Sequence, residues 1–136
     1  YKLIYFGLTY CPAICPTELQ KMTQVVNGLP PAQADKLTQL FITIDPERDS
    51  VDLMRDYVGL FHPNLVGLTG TRPQIDFVMK NYRIFATRVE DPKLNDYTMD
   101  HSTFVYLMSP EDELLAMYRT KDTVETILAD VKTRIH

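Results

Sequence analysis

Short apolar runs alternate with segments of helical periodicity along most of this chain, and this alternation restricts the possible folds more than any other feature. Apolar runs of about four to eight residues are typical of buried strands, whereas apolar residues spaced three and four apart are typical of helices. The predicted strands are Lys2–Gly7, Leu37–Ile44, Leu65–Leu68, Ile84–Val89, Thr103–Met108 and Leu114–Arg119. The predicted helices are Pro16–Leu29, Ser50–Phe61 with Ser50 as its cap, Pro73–Tyr82 begun by Thr71 or Arg72, and Thr123–Ile135 with Asp122 as its cap.

This order of elements predicts an α/β fold. Strands that alternate with helices pair in parallel through right-handed crossovers. The last two strands are joined by four turn-forming residues, 109–112, and therefore form an antiparallel hairpin. We predict a three-layer sandwich of thioredoxin-like type, with a mixed sheet, a C-terminal hairpin and a closing helix. The pattern alone also fits a flavodoxin-like sheet, and the cysteines described next favour the thioredoxin-like fold.

Composition sets the scale and excludes some classes of partner. The 136 residues suit a single domain over 1–136, because single domains usually have about 100–150 residues. The net charge is −4 and no basic stripe is present, which argues against nucleic acid. The longest apolar run, Leu3–Leu8, is far shorter than the roughly 20 residues that span a bilayer. The first residue, Tyr1, leads directly into a predicted core strand, so we expect any membrane anchor to precede it. We expect a monomer.

Both cysteines of the chain, Cys11 and Cys15, lie in one short stretch, and each precedes a proline. A residue before proline is disfavoured in a helix, which predicts a loop with Cys15 as N-cap and Pro16 as the first helical residue. Backbone N–H groups and the helix dipole stabilise a thiolate there. The loop follows a predicted core strand, at the sheet edge where binding sites gather. The pair could form an inert structural disulfide, undergo redox exchange or bind a soft metal.

The histidines supply one candidate for a third metal ligand. His136 is the last residue, and His62 ends a predicted helix, where an imidazole commonly packs or caps. His101 lies in the segment Asp100–Ser102, directly before the strand Thr103–Met108. In a thioredoxin-like sheet the loop before that strand faces the cysteine loop. Two thiolates and one imidazole favour copper, especially Cu(I), whereas zinc prefers a fourth ligand. Asp100 could fix the tautomer of the imidazole. A loop histidine without any ligand role remains the alternative.

Five segments in the same order resemble the Sco/SenC family, the copper-binding, thioredoxin-like assembly proteins of cytochrome c oxidase. The resemblance extends over essentially the whole chain. The segments are Cys11–Pro16, Glu18–Leu19, Phe41–Asp49, Leu65–Thr71 and Asp100–Ser102.

The resemblance implies a site and a function. Cys11, Cys15 and His101 match the family's copper ligands and would hold one Cu(I) or Cu(II) per chain. Asp45 matches an acidic position that lies near the metal or faces a partner. The implied function is that of a copper metallochaperone, which receives copper from an upstream donor and helps to build the dinuclear copper centre of cytochrome c oxidase subunit II.

The alternative is a thiol–disulfide oxidoreductase that reduces the cysteines of that subunit. Cys11 would then attack and Cys15 would resolve, although the dipole argument allows the reverse. The three-residue spacer differs from the two-residue spacer of ordinary thioredoxins, which favours the chaperone. Tyr10 is expected at the mouth of the site, where it could contact a partner. Peroxide reduction has no supporting residues in this sequence.

The resemblance also implies a location. Family members are usually tethered by one N-terminal transmembrane helix, so the expected place is the bacterial periplasm at the inner membrane. The alternative is the mitochondrial inner membrane, facing the intermembrane space. The family's anchor and first hairpin have no counterpart in this sequence. The stretch Val89–Thr98 is shorter than the acidic loop of many relatives.

Overall fold

The computed structural model describes the backbone of residues 1–10, 14–84, 86–91, 96–101 and 104–136, and the side chains of residues 1–10, 16–84, 86 and 104–136. Strands and helices alternate within these residues, as predicted. In chain order the elements are β1 (Lys2–Gly7), α1 (Ile14–Gly28), α2 (Pro31–Ala34), β2 (Thr38–Thr43), α3 (Val51–Val58), β3 (Leu65–Leu68), α4 (Arg72–Asn81), β4 (Ala86–Asp91), β5 (Asp96–His101), β6 (Phe104–Met108), β7 (Leu114–Arg119) and α5 (Val124–Arg134).

Five strands form one mixed sheet in the order β3-β2-β1-β6-β7. β1, β2 and β3 are parallel, whereas β6 runs antiparallel to β1 and β7 antiparallel to β6. The register pairs Tyr5 with Phe41 of β2 and with Val105 of β6. β4 and β5 form a separate antiparallel pair. The predicted thioredoxin-like α/β fold with a C-terminal hairpin is therefore confirmed.

Helices cover both faces of the main sheet. On the Tyr5 face, Tyr57 of α3 packs against Phe41, and the Tyr118 hydroxyl of β7 donates to Asp130 of α5. α1 packs against α5. On the opposite face, Phe6 contacts Tyr82, which follows α4, with ring centroids 5.2 Å apart. α1 and α3 lie on the same side because successive right-handed crossovers between neighbouring parallel strands return over the same face.

Side-chain caps fix where three of the helices begin. Ser50 accepts the Leu53 N–H at the start of α3, as predicted. Thr71 and Gln74 form a reciprocal capping box at the start of α4. Thr123 caps α5, so the prediction of Asp122 at this position is wrong. The Asp122 carboxylate accepts the Arg119 N–H instead, because the turn after β7 directs this carboxylate back towards the strand.

Several other differences from prediction concern short or polar elements. β5 was not predicted as a strand, and β4 begins two residues later than predicted and lies outside the main sheet. α2 was also not predicted. The third predicted helix is α4, and its start at Arg72 with Thr71 as the cap agrees with the prediction that Thr71 or Arg72 begins it. β1, β3 and β7 have the predicted bounds. Among the described residues, no helix is both long enough and apolar enough to cross a membrane.

Candidate functional site

The candidate site lies at the edge of the main sheet where β1 and β2 end. These strands are parallel and finish together, and the Ile44 N–H donates to the Gly7 carbonyl oxygen at 2.8 Å. β6 is antiparallel to β1, so it begins at this same edge, with Phe104. Segments that follow β1 and segments that precede β6 are therefore brought towards one another.

Cys15 is the second residue of α1, which begins at Ile14. The helix thus begins two residues earlier than predicted, and the prediction of Cys15 as N-cap is wrong. Pro16 occupies the third helical position, where its missing N–H costs nothing because the first four N–H groups of a helix have no partner within it. Cys11 lies outside the described residues. For Cys15, the backbone is described but the side chain is not.

His101 is the last residue of β5 and pairs with Ala86 of β4, while Asp100 pairs with Thr87. The side chains of both residues lie outside the described part of the chain. His101 is only three residues from Phe104, a reach of at most about 10 Å. The described backbone is therefore compatible with an imidazole at the edge where β1 ends.

Asp45 lies two residues after the end of β2 and is buried, with 2% of its surface exposed. Its Oδ2 accepts the Arg48 Nε–H at 2.5 Å. The Arg48 guanidinium in turn stacks over the Tyr10 ring, with Cζ 4.5 Å from the ring centroid. Tyr10 is half-buried next to the cysteine segment. These contacts connect the loop after β2 with the loop after β1, at the predicted site.

Two further carboxylates were not predicted as part of this region. Asp49 is buried and accepts hydrogen bonds from Thr9 and Thr43. Its place in the segment Phe41–Asp49 was the only sequence signal. The other, Glu18, lies one turn after Cys15 and is 1% exposed.

Glu18 lies in an unfavourable environment for a charged carboxylate. Burial raises the pKa of Glu18, although the Lys21 ammonium group, 3.4 Å from its Oε1, acts in the opposite direction. Among the described residues, no hydrogen-bond partner contacts Glu18 Oε2. The i, i+3 spacing from Cys15 would have allowed sequence reasoning to identify this acid.

Of the remaining histidines, His62 has the packing or capping role expected from sequence. His62 follows α3, and its Nδ1 accepts the Asn64 N–H at 3.1 Å. Its Nε2 therefore carries the hydrogen and donates to Asn27 Oδ1 at 3.1 Å. His62 thus ties the turn after α3 to α1. His136 is exposed at the end of the chain. No group of three or more His, Cys, Asp or Glu side chains within the described residues is arranged to hold a metal.

Comparison with known proteins gives consistent matches over the full sequence. The SCO1/SenC family model matches residues 1–136. The mitochondrial SCO2 homologue of Bos taurus is 44% identical over 138 residues, which cover 97% of this chain and 50% of that protein. The mitochondrial SCO1 homologue of Homo sapiens is 42% identical over 136 residues, covering 99% of this chain and 45% of that protein. The chain thus spans about half the length of these relatives.

Solved structures agree with these matches. Arabidopsis thaliana ScoI, solved with copper bound, has a TM-score of 0.88 at 36% identity and covers 97% of this chain and 81% of its own. BsSco has a TM-score of 0.68 at 25% identity, covering 97% of this chain and 78% of its own. BsSco is described as a member of the Sco family of cytochrome c oxidase assembly proteins that contains a disulfide switch.

Proposed function

This chain belongs to the SCO1/SenC family, and we propose that it binds one copper ion through Cys11, Cys15 and His101 and transfers it during assembly of cytochrome c oxidase. The recipient we propose is the dinuclear copper centre of subunit II, and the source is an upstream copper donor. Copper is here the cargo of the protein. We further propose that residues 1–136 form a single copper-binding domain and act as a monomer.

The observation that supports this proposal is that β1 ends and β6 begins at the same sheet edge, so the segments that follow and precede them lead to one place. α1 begins with Ile14 and Cys15 after β1, and β5 ends with His101 just before β6. Two thiolates and one imidazole form a soft donor set that suits copper. Because there are only three ligands, a thiolate of a partner protein can also coordinate the copper. Transfer by ligand exchange requires such an open position. The copper bound to the Arabidopsis ScoI relative supports the same assignment.

The first test is an anaerobic Cu(I) titration of the reduced protein against a competing chelator, in parallel with the oxidised protein. We expect one tightly held copper per reduced chain and its loss on oxidation. His101→Ala should weaken binding by more than about 100-fold, since even residues outside the ligand shell change metal affinity about 10- to 100-fold. His136→Ala is the matched control and should bind normally. Unchanged affinity in His101→Ala would overturn the ligand set.

The second candidate function is thiol–disulfide exchange with the cysteines of subunit II. The spacing of Cys11 and Cys15 and the disulfide switch described for BsSco favour it. His101→Ala separates the two functions. A chaperone variant would lose copper binding and oxidase maturation, whereas a reductase variant would keep its activity on a disulfide substrate. We expect the first result.

For location we propose attachment to an inner membrane through a segment outside this sequence. The relatives from Bos taurus and Homo sapiens are mitochondrial, which favours the intermembrane space over the bacterial periplasm.

A further inference from the structure

The buried carboxylate of Asp49 joins three segments at the candidate edge. Its Oδ2 accepts the Thr43 hydroxyl at 2.6 Å and the Thr9 N–H at 3.2 Å, and its Oδ1 accepts the Thr9 hydroxyl at 2.5 Å. The Thr69 hydroxyl donates to the Asp49 carbonyl oxygen at 2.9 Å. Asp49 is 1% exposed. Hydrogen bonds to a buried carboxylate are about twice as strong as neutral ones.

These hydrogen bonds restrain the segment that follows β1, beyond the last hydrogen bond of the sheet. The ladder between β1 and β2 ends with the bond from Ile44 to Gly7. Thr9 lies two residues after Gly7, and both its backbone N–H and its hydroxyl donate to the Asp49 carboxylate. Fixing both groups restricts the direction in which the chain leaves towards Cys11. Tyr10, held under Arg48, adds a second constraint.

The Thr43 hydroxyl fixes Asp49 in turn. It donates to Asp49 and accepts the Asp45 N–H at 2.9 Å, and it is fully buried at the end of β2. A side chain held on the rigid sheet thus positions the carboxylate, and the carboxylate positions Thr9. Every link in this chain of contacts lies within the described residues.

We propose that Asp49 is a positioning residue for the cysteine pair. By holding Thr9, it restricts the path of the chain from β1 to Cys11 and so favours the joint use of Cys11 and Cys15. A disulfide requires Cα atoms about 4.4–6.8 Å apart, and shared metal ligation needs a comparably restricted geometry. Loosening Thr9 therefore lowers the probability that the two sulfurs meet. The inference rests on the proposed use of Cys11 and Cys15 as a pair, but it applies to copper binding and to disulfide formation alike.

The test uses Asp49→Asn and measures the reduction potential of the cysteine pair in metal-free protein, by equilibration with glutathione. We expect the equilibrium for disulfide formation to fall about tenfold, which makes the potential about 30 mV less negative. Cu(I) affinity should also fall about tenfold, at the lower end of the range for outer-shell residues. Thr9→Val, which removes one of the bonds, should give a smaller shift in the same direction.

The control is Ser50→Ala, which removes the neighbouring cap of α3 without touching Thr9. It should lower stability but leave both the reduction potential and the copper affinity unchanged. The proposal is overturned if folded Asp49→Asn keeps the parent potential, or if Ser50→Ala shifts it equally. If Asp49→Asn does not fold, Thr9→Val decides by the same criterion. Failure of the parent protein to bind copper would refute the chaperone function, while the potential would still test the role of Asp49.

Discussion

Replacement of Arg48 by methionine should destabilise the protein mainly by removing the guanidinium from the Asp45 carboxylate. Nε and Oδ2 are 2.5 Å apart, and the two side chains are 21% and 3% exposed. Opposite unit charges about 4 Å apart attract by about 4 kcal/mol at an effective dielectric constant of about 20. The partial exposure of Arg48 and the ordering of its side chain reduce this energy. We therefore expect a coupling of about 2–3 kcal/mol, below the roughly 3–5 kcal/mol for breaking a fully buried pair.

A double-mutant cycle measures this coupling directly. Arg48→Met, Asp45→Asn and the double variant are unfolded in urea with a reductant present, and far-UV circular dichroism follows the transition because the chain has no tryptophan. A second cycle with Tyr10→Leu isolates the cation–π contact, for which we expect about 0.5–1 kcal/mol. A coupling between Arg48 and Asp45 below about 0.5 kcal/mol would show that the pair behaves like an exposed one and would refute this reasoning.

Three further predictions concern other parts of the fold. Gly67→Ala should lower the free energy of unfolding by about 1–3 kcal/mol through overpacking, because the new Cβ would lie 3.1 Å from Val58 Cγ1 and 3.2 Å from Met54 Cβ. As the control in the same urea assay, Gly59→Ala should not destabilise the protein, because its Cβ would make only ordinary contacts. Burial raises the pKa of Glu18, so its ionisation opposes folding, and stability is lost as pH rises through the folded pKa. The melting temperature of Glu18→Gln should therefore rise relative to that of the parent between about pH 4 and pH 7. A difference in melting temperature that stays constant with pH would contradict this. Tyr118→Phe should cost about 1–2 kcal/mol through loss of the 2.7 Å bond to Asp130, and an unchanged urea midpoint would contradict it.

The main sheet could be predicted because its strands lie in sequence-continuous apolar runs. β1 has a continuous buried stretch from Leu3 to Gly7, and such runs are the clearest strand signal. β5 has the sequence Asp-Tyr-Thr-Met-Asp-His and pairs only with β4 in the described ladders. A strand outside the main sheet has little need of an apolar run, so its sequence carried no comparable signal. α2, with four residues, is too short to show a helical period.

Sequence rules for helix ends gave wrong predictions where more than one residue could occupy the same position. Asp122 and Thr123 are both good N-caps, and the turn after β7 decided between them. Cys15 precedes a proline and is nevertheless helical, because the preference before proline is a bias that a first helical turn can override. The contact of Asp49 with Thr9 spans 40 residues. Only the parallel register of β1 and β2 brings them together, and sequence reasoning could not assign the partner of one carboxylate among several.

Asp49 and His101 would influence copper binding and disulfide exchange differently. Variants of the two residues therefore distinguish these functions better together than either does alone. A thiol pair held in position is useful both for binding copper and for exchanging a disulfide, so Asp49→Asn should weaken both. An imidazole can be a metal ligand, whereas thiol–disulfide exchange requires only an attacking thiolate and a disulfide. Suppose that Asp49→Asn shifts both the reduction potential and the copper affinity, while His101→Ala changes the copper affinity alone. The protein would then use one rigid thiol pair mainly to hold a metal. Equal oxidase maturation by the parent and His101→Ala would instead assign that same pair to the reduction of subunit II.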